Sequence, residues 1–192
     1  MTTPTESSAP EPIHRERGKP IRLHLAGHEA REGWTLLNAQ QRPGVDVIGT
    51  VTDLSMFADN TVTEAYASHV YEHLGYQKEL PTALREVHRI LVPGGLLRVA
   101  VPDLEILAKL FVSPQLNLSE KFHIQRMVMG GQIDDYDFHK TAFSFQILGA
   151  MLHQNGFENI RRVPSFNLFK DMSETNFGGV NISLNVQCTK KA

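Results

Sequence analysis

Residues 21–28, I-R-L-H-L-A-G-H, decide how this chain reads. Ile21, Leu23 and Leu25 alternate with polar residues and stop at the small pair Ala26-Gly27, the pattern of a short buried strand ending in a tight turn. In an open parallel α/β sheet the first such turn lies at the carboxyl edge. Strand order reverses there, and backbone N–H groups point into a crevice that takes ligands. Close approach of a ligand to backbone favours glycine, yet here Gly27 stands between Ala26 and the bulky His28.

Working outward, residues 1–19 are rich in Thr, Ser, Pro and Glu and close on His14, Arg15, Glu16, Arg17 and Lys19. Such a segment buries too little to fold and is expected to be a flexible tail. On the other side, residues 29–34 are too few for a full helix, and strands are expected over 35–39, 45–48 and 61–68. Leu80, Ala83, Leu84, Val87, Ile90 and Leu91 fall at helical spacing, with Pro81 in the first turn and Pro93-Gly94-Gly95 as the stop. A fifth strand follows over 96–101. Asp103 caps a helix through Phe111, and further helices are expected over 119–129 and 144–154. Strands over 157–163 and 180–188 complete the chain. In the last, Val180, Ile182, Leu184, Val186 and Cys188 alternate strictly with Asn181, Ser183, Asn185 and Gln187. Strict alternation after continuous apolar strands predicts an antiparallel C-terminal edge strand on a mostly parallel, doubly wound α/β sheet. Residues 113–140 are long and irregular, which favours a lid or substrate wall over a plain connector.

At 192 residues the chain suits one domain, residues 20–192 after the tail. A net charge of −2 offers no general attraction for nucleic acid or anionic lipid, and no apolar run is long enough to span a membrane. The single cysteine, Cys188, and the absence of a charged-then-apolar leader point to a reduced, cytoplasmic protein. His69-Val70-Tyr71-Glu72-His73 spells H-x-x-E-H, a zinc signature when both histidines lie on one helix. A strand directly before it and Gly75 just after it argue against that helix. No metal is therefore expected, and Glu72 and His73 read as ties between loops.

Several stretches, L-H-L-A-G-H (23–28), D-L-S-M-F-A-D-N (53–60), Y-A-S-H-V-Y-E-H-L (66–74), L-R-E-V-H-R-I-L-V-P-G-G (84–95), R-V-A-V-P-D (98–103) and D-F-H-K-T-A-F (137–143), resemble the class I S-adenosylmethionine-dependent methyltransferases. The resemblance covers nearly everything from Ile21 onward and implies a Rossmann-like fold with S-adenosylmethionine as cofactor. It implies that backbone around Leu25, Ala26, Gly27 and His28 holds the methionine end, that the position of Asn38 faces the ribose, that Asp53 and Leu54 flank the adenine, and that Ser68 and His69 close the floor. Ala26 and His28 replace family glycines, and Asn38 replaces the ribose carboxylate, so His28→Gly with Asn38→Asp is expected to strengthen cofactor binding. Methyl transfer needs an in-line acceptor relieved of its proton. His139, with Asp137 and Tyr136 nearby and His69 on the floor, supplies the candidate catalytic groups. Two readings follow: a methyltransferase acting on a small-molecule or glycan acceptor, or a methyltransferase-fold protein with weakened cofactor binding that serves as a binding or scaffolding subunit. A homodimer or a protein partner is compatible with either.

Overall fold

The opening alternation becomes β1 (Ile21–Leu25), followed by β2 (Thr35–Asn38), β3 (Val47–Ile48), β4 (Val62–Ser68), α1 (Glu79–Ile90), β5 (Leu91–Pro102), α2 (Leu104–Phe111), α3 (Leu118–Met129), α4 (Phe145–Gln154), β6 (Phe157–Arg162), the short β7 (Asn176–Phe177) and β8 (Val180–Asn181), and β9 (Ser183–Lys190). The structure, a computed structural model, describes residues 20–192, so the expected tail over 1–19 lies outside the described residues.

Seven strands form one sheet in the order β3-β2-β1-β4-β5-β9-β6. The pairs from β3 through β5 are parallel, and β9 runs antiparallel to both of its neighbours. The mostly parallel Rossmann-like sheet and its antiparallel C-terminal strand are thus as expected. Its place is one strand in from the margin, because β6 forms the edge. That position explains the pattern of β9: Leu184, Val186 and Cys188 enter the main core, while Asn185 on the other face is also buried. Its amide donates to the Ser173 carbonyl at 2.9 Å and the Pro164 carbonyl at 3.3 Å, so this polar face meets backbone and not water.

α1 ends at Ile90, not at the Pro-Gly-Gly, because Leu91 already pairs with Val62 as the first residue of β5. Its buried stripe of Leu80, Ala83, Leu84, Val87 and Ile90 packs against the sheet beside Leu148 and Leu152 of α4. Each fully buried Leu, Val or Ile there contributes roughly 1.5–3 kcal/mol. Asp103 caps α2, accepting from the Glu105 and Ile106 amides at 3.1 and 3.3 Å. The opposite face of the sheet lacks the helix that residues 29–34 are too short to form. An aromatic cluster of Trp34, Tyr66, Phe166 and Phe169 covers it instead.

Across the strands, the Glu64 carboxylate accepts from Arg22 Nε at 2.8 Å and Arg98 Nε at 2.7 Å, one oxygen for each guanidinium. Cys188 is buried, and burial pushes its thiol up to about 12.

Candidate active site

The register levels the carboxyl ends of β1, β2 and β4, with Leu25 opposite both Leu37 and Ala67. The chain then turns sharply: Ala26 takes a φ of 52°, a left-handed conformation that costs a side-chain-bearing residue. Gly27 is required for space. A Cβ there would lie 2.2 Å from Cε1 of His24. The His24 ring fills that gap from beneath, stacked on Phe169 at 4.0 Å, and burial lowers its pKa to about 4. It is an interior histidine, and its Nδ1 finds no partner among the described residues.

Asn38 reinforces this turn. Its Nδ2 donates to the Gly27 carbonyl at 2.8 Å, and its Oδ1 accepts from the Gln40 amide at 2.9 Å. An aspartate has no proton to give Gly27, so Asn38→Asp would set a carboxylate against a carbonyl and undo the turn. The strengthening expected from that exchange therefore meets a direct electrostatic obstacle. His28 points outward, with Nδ1 2.7 Å from Arg42 Nη1. Burial first, and then the Arg42 charge, lower its pKa, so the ring is neutral and accepts from the guanidinium.

Above this edge lies a two-lobed cleft. The lobes measure about 760 Å³ and 570 Å³ and share Ala26, His28, His69, His73 and Asp137. Gly27, Ser68 and His139 border the larger lobe, and Asn38 and Tyr136 the smaller. Leu25 lies beneath, fully buried. Asp53 and Leu54 border neither lobe. Leu54 is in the core with its amide bonded to Glu86 Oε2 at 2.9 Å, and Asp53 faces solvent, capping the Ser55 amide at 3.1 Å. Thr50, Val51 and Thr52 face the cleft in their stead. Residues 113–140 supply the outer wall through Arg126, Met127, Gly130 and Gly131. Sequence reasoning missed Arg42, Lys170 and Asp171, all of which line the cleft. Asp171 accepts from the Tyr66 hydroxyl at 2.7 Å and sits in a stretch without periodicity, which leaves no local signal.

At the back of the cleft the H-x-x-E-H stretch forms only a single 3₁₀ turn, Tyr71–His73, with His69 before it at a φ of 53°. The two histidines of the motif are therefore not stacked one helical turn apart. His69 Nε2 lies 3.1 Å from Ser183 Oγ, whose own proton goes to the Met172 carbonyl at 2.7 Å, so the imidazole donates. Its Nδ1 lies 3.0 Å from Glu72 Oε1. Neither oxygen of the fully buried Glu72 accepts a hydrogen bond among the described residues. Burial opposes ionisation of Glu72, but the charges of His69 and then His73 outweigh it and hold the carboxyl below its ordinary range.

Two backbone bonds draw the distant residue 139 into this corner. The Lys140 and Thr141 amides donate to the Glu72 carbonyl at 2.8 and 3.0 Å, and the His139 amide donates to Met129 at 3.1 Å. The His139 ring meets His73 edge-on at 4.8 Å. Burial first, partly offset by Glu72, lowers its pKa, and its Nδ1 is shielded from solvent without a partner among the described residues.

Residues 27–99 match the profile of a family described as a methyltransferase domain. No curated protein matches the chain in sequence. Among solved structures, a SAM-dependent methyltransferase from Thermotoga maritima is 22% identical over 81% of this chain and 72% of its own, with a TM-score of 0.54. The 1,6-didemethyltoxoflavin-N1-methyltransferase of Burkholderia thailandensis, solved with 1,6-didemethyltoxoflavin and S-adenosylhomocysteine bound, is 15% identical over 92% of this chain and 73% of its own, TM-score 0.55. A SAM-dependent methyltransferase from Archaeoglobus fulgidus is 13% identical over 90% of this chain and 87% of its own, TM-score 0.56. Residues 27–99 thus match the model of a methyltransferase domain, and the sheet of the chain has the fold of the class I S-adenosylmethionine-dependent methyltransferases.

Proposed function

We propose that the cleft binds S-adenosylmethionine and that the chain passes its methyl group to a small-molecule or glycan acceptor. The observation that carries this reading is the turn after β1. Ala26 in a left-handed conformation and Gly27, whose missing side chain leaves room for His24 beneath, set the backbone of the turn against the cleft at the level ends of three parallel strands. The lobes suit the two halves of the cofactor. Backbone at Ala26 and Gly27 would hold the amino-acid end, while Asn38, Thr50 and Val51 of the smaller lobe would take the nucleoside end. When bound, the cofactor supplies an electrophilic methyl on a sulfonium.

The chain's own residues hold the acceptor and manage its proton. Asp137 is the one acidic side chain common to both lobes, so it stands where the lobes join. It orients an acceptor hydroxyl or amine and takes its proton. Gly130 and Gly131 set it there: a Cβ on Gly130 would lie 2.1 Å from the Asp137 carbonyl oxygen, and one on Gly131 would lie 2.4 Å from Oδ2. Close approach of the Asp137 segment accounts for this glycine pair. Of the other candidates, His69 is held at Nε2 by Ser183, Tyr136 is exposed on the rim, and His139 keeps its Nδ1 turned away from solvent. These three shape the cleft and leave proton transfer to Asp137.

A second reading, a binding or scaffolding subunit that retains the fold, draws support from Asn38, whose amide is already spent on the turn. Calorimetric titration with S-adenosylmethionine and S-adenosylhomocysteine separates the two. The methyltransferase reading expects saturable binding of both, with Asp137→Asn leaving affinity within a few-fold. Folded protein that gives no heat with either ligand leaves only the second reading.

A further inference from the structure

We propose that Glu72, His73 and His139 hold a divalent transition-metal cation, zinc by the character of the ligands, in the inner wall of the cleft. The ligand atoms of these three side chains lie within 4.8 Å of one another. Glu72 is fully buried, and among the described residues both of its carboxylate oxygens, together with His139 Nδ1, are without hydrogen-bond partners. A buried polar atom left unpaired costs about 1–3 kcal/mol. A fully buried carboxylate without hydrogen bonds, gathered with two imidazoles at one corner, is the arrangement expected where lone pairs await a cation.

The chemistry of the set is specific. Two imidazoles and one carboxylate make a three-ligand site with an open fourth position, and imidazole selects zinc, cobalt or iron over magnesium and calcium. Tetrahedral ligands around zinc stand about 3.3 Å apart, given metal–ligand distances of about 2.0–2.1 Å. His73 is already oriented to ligate, since its Nδ1 lies 3.2 Å from the Phe138 carbonyl, an outer hydrogen bond that leaves Nε2 free for the metal. His69, held by Ser183, braces Glu72 from the other side as a positioning residue. The zinc signature legible in the sequence paired His69 with His73. The fold replaces His69 with His139, from sixty-six residues beyond His73.

The catalytic consequence rests on the methyltransferase reading. His73 and His139 border the larger lobe with Asp137, so the open position is reached from the acceptor side. Acceptors carrying a hydroxyl or other oxygen donor would bind there and become more acidic, easing the proton's passage to Asp137.

The test uses the full chain, stripped with a chelator and titrated with cobalt(II) alone, which needs no cofactor. One equivalent is expected to give the visible absorption of a tetrahedral or five-coordinate site, and zinc is expected to displace it while magnesium is not. Glu72→Gln and His139→Ala should each weaken cobalt binding at least tenfold, with far-ultraviolet dichroism unchanged. Wild-type protein that gives no stoichiometric cobalt spectrum overturns the site, as does binding untouched by both variants. Cobalt bound by protein that ignores S-adenosylmethionine would sink the methyltransferase reading alone.

Discussion

Glu64 and Glu72 are eight residues apart at opposite ends of one strand, and the chain treats them in contrary ways. At the amino end of β4, each oxygen of Glu64 is matched to an arginine, and the group is complete. Just past the carboxyl end, Glu72 has histidines beside it that hold its carboxyl below the ordinary range, but neither of its oxygens accepts a hydrogen bond among the described residues. Charge balance and hydrogen-bond satisfaction are separate conditions. Where a fold meets the first and leaves the second open, at the ligand-facing edge of a parallel sheet, the open lone pairs point to function.

The contrast can be broken most forcefully at Glu64. Glu64→Leu leaves Arg22 and Arg98 half-buried and unpaired, and about 3 kcal/mol of stability should be lost, at the low end for a broken ion-pair network, as read by urea denaturation. A loss below about 1 kcal/mol would show that the two arginines find water as readily as carboxylate. Zinc should act on the other carboxylate alone. At a hundredfold excess over its dissociation constant it should add about 2.7 kcal/mol to the wild type and nothing to Glu72→Gln, while Glu64→Gln keeps the full increment; thermal melts with and without chelator provide the comparison.

Asn38 sharpens the comparison as a third polar side chain, satisfied like Glu64 but at the cleft like Glu72. Asn38→Asp should cost about 1–2 kcal/mol, because the Gly27 carbonyl loses its donor, and should weaken S-adenosylmethionine binding in the calorimeter. Tighter binding would mean that the turn re-forms around the new carboxylate. The smallest effect lies in the pH dependence of metal-free protein. A carboxyl held below its ordinary range stabilises the fold above the unfolded value and loses that contribution as pH falls through the folded one. Glu72→Gln should therefore flatten the melting-temperature profile on the acid side of the ordinary carboxyl range, and profiles parallel to the wild type would contradict that linkage.

The sequence made the layers legible because local rules governed them. Leu80 through Ile90 could bury one stripe only as a helix, and Asp103, Asn117 and Ser144 each capped the helix that follows them. The place of β9 was less legible, since alternation reports which faces are apolar and not which strands stand on either side. Nothing local marks Asn185 as buried, because the backbone carbonyls that satisfy it come from residues 164 and 173. At the site, the turn at 26–28 could be read, but the inward facing of Thr50 to Thr52 in place of Asp53 and Leu54 depends on Leu54 entering the core. The union of His139 with Glu72 had no local signal, because it is made by backbone amides at 140 and 141.

Cys188 gives the molecule a built-in clock. It is the chain's one thiol, enclosed in the sheet with its proton firmly held. A thiol-reactive dye can therefore mark this protein only when the strands part, and the pace of labelling in native buffer counts those openings without any engineered probe.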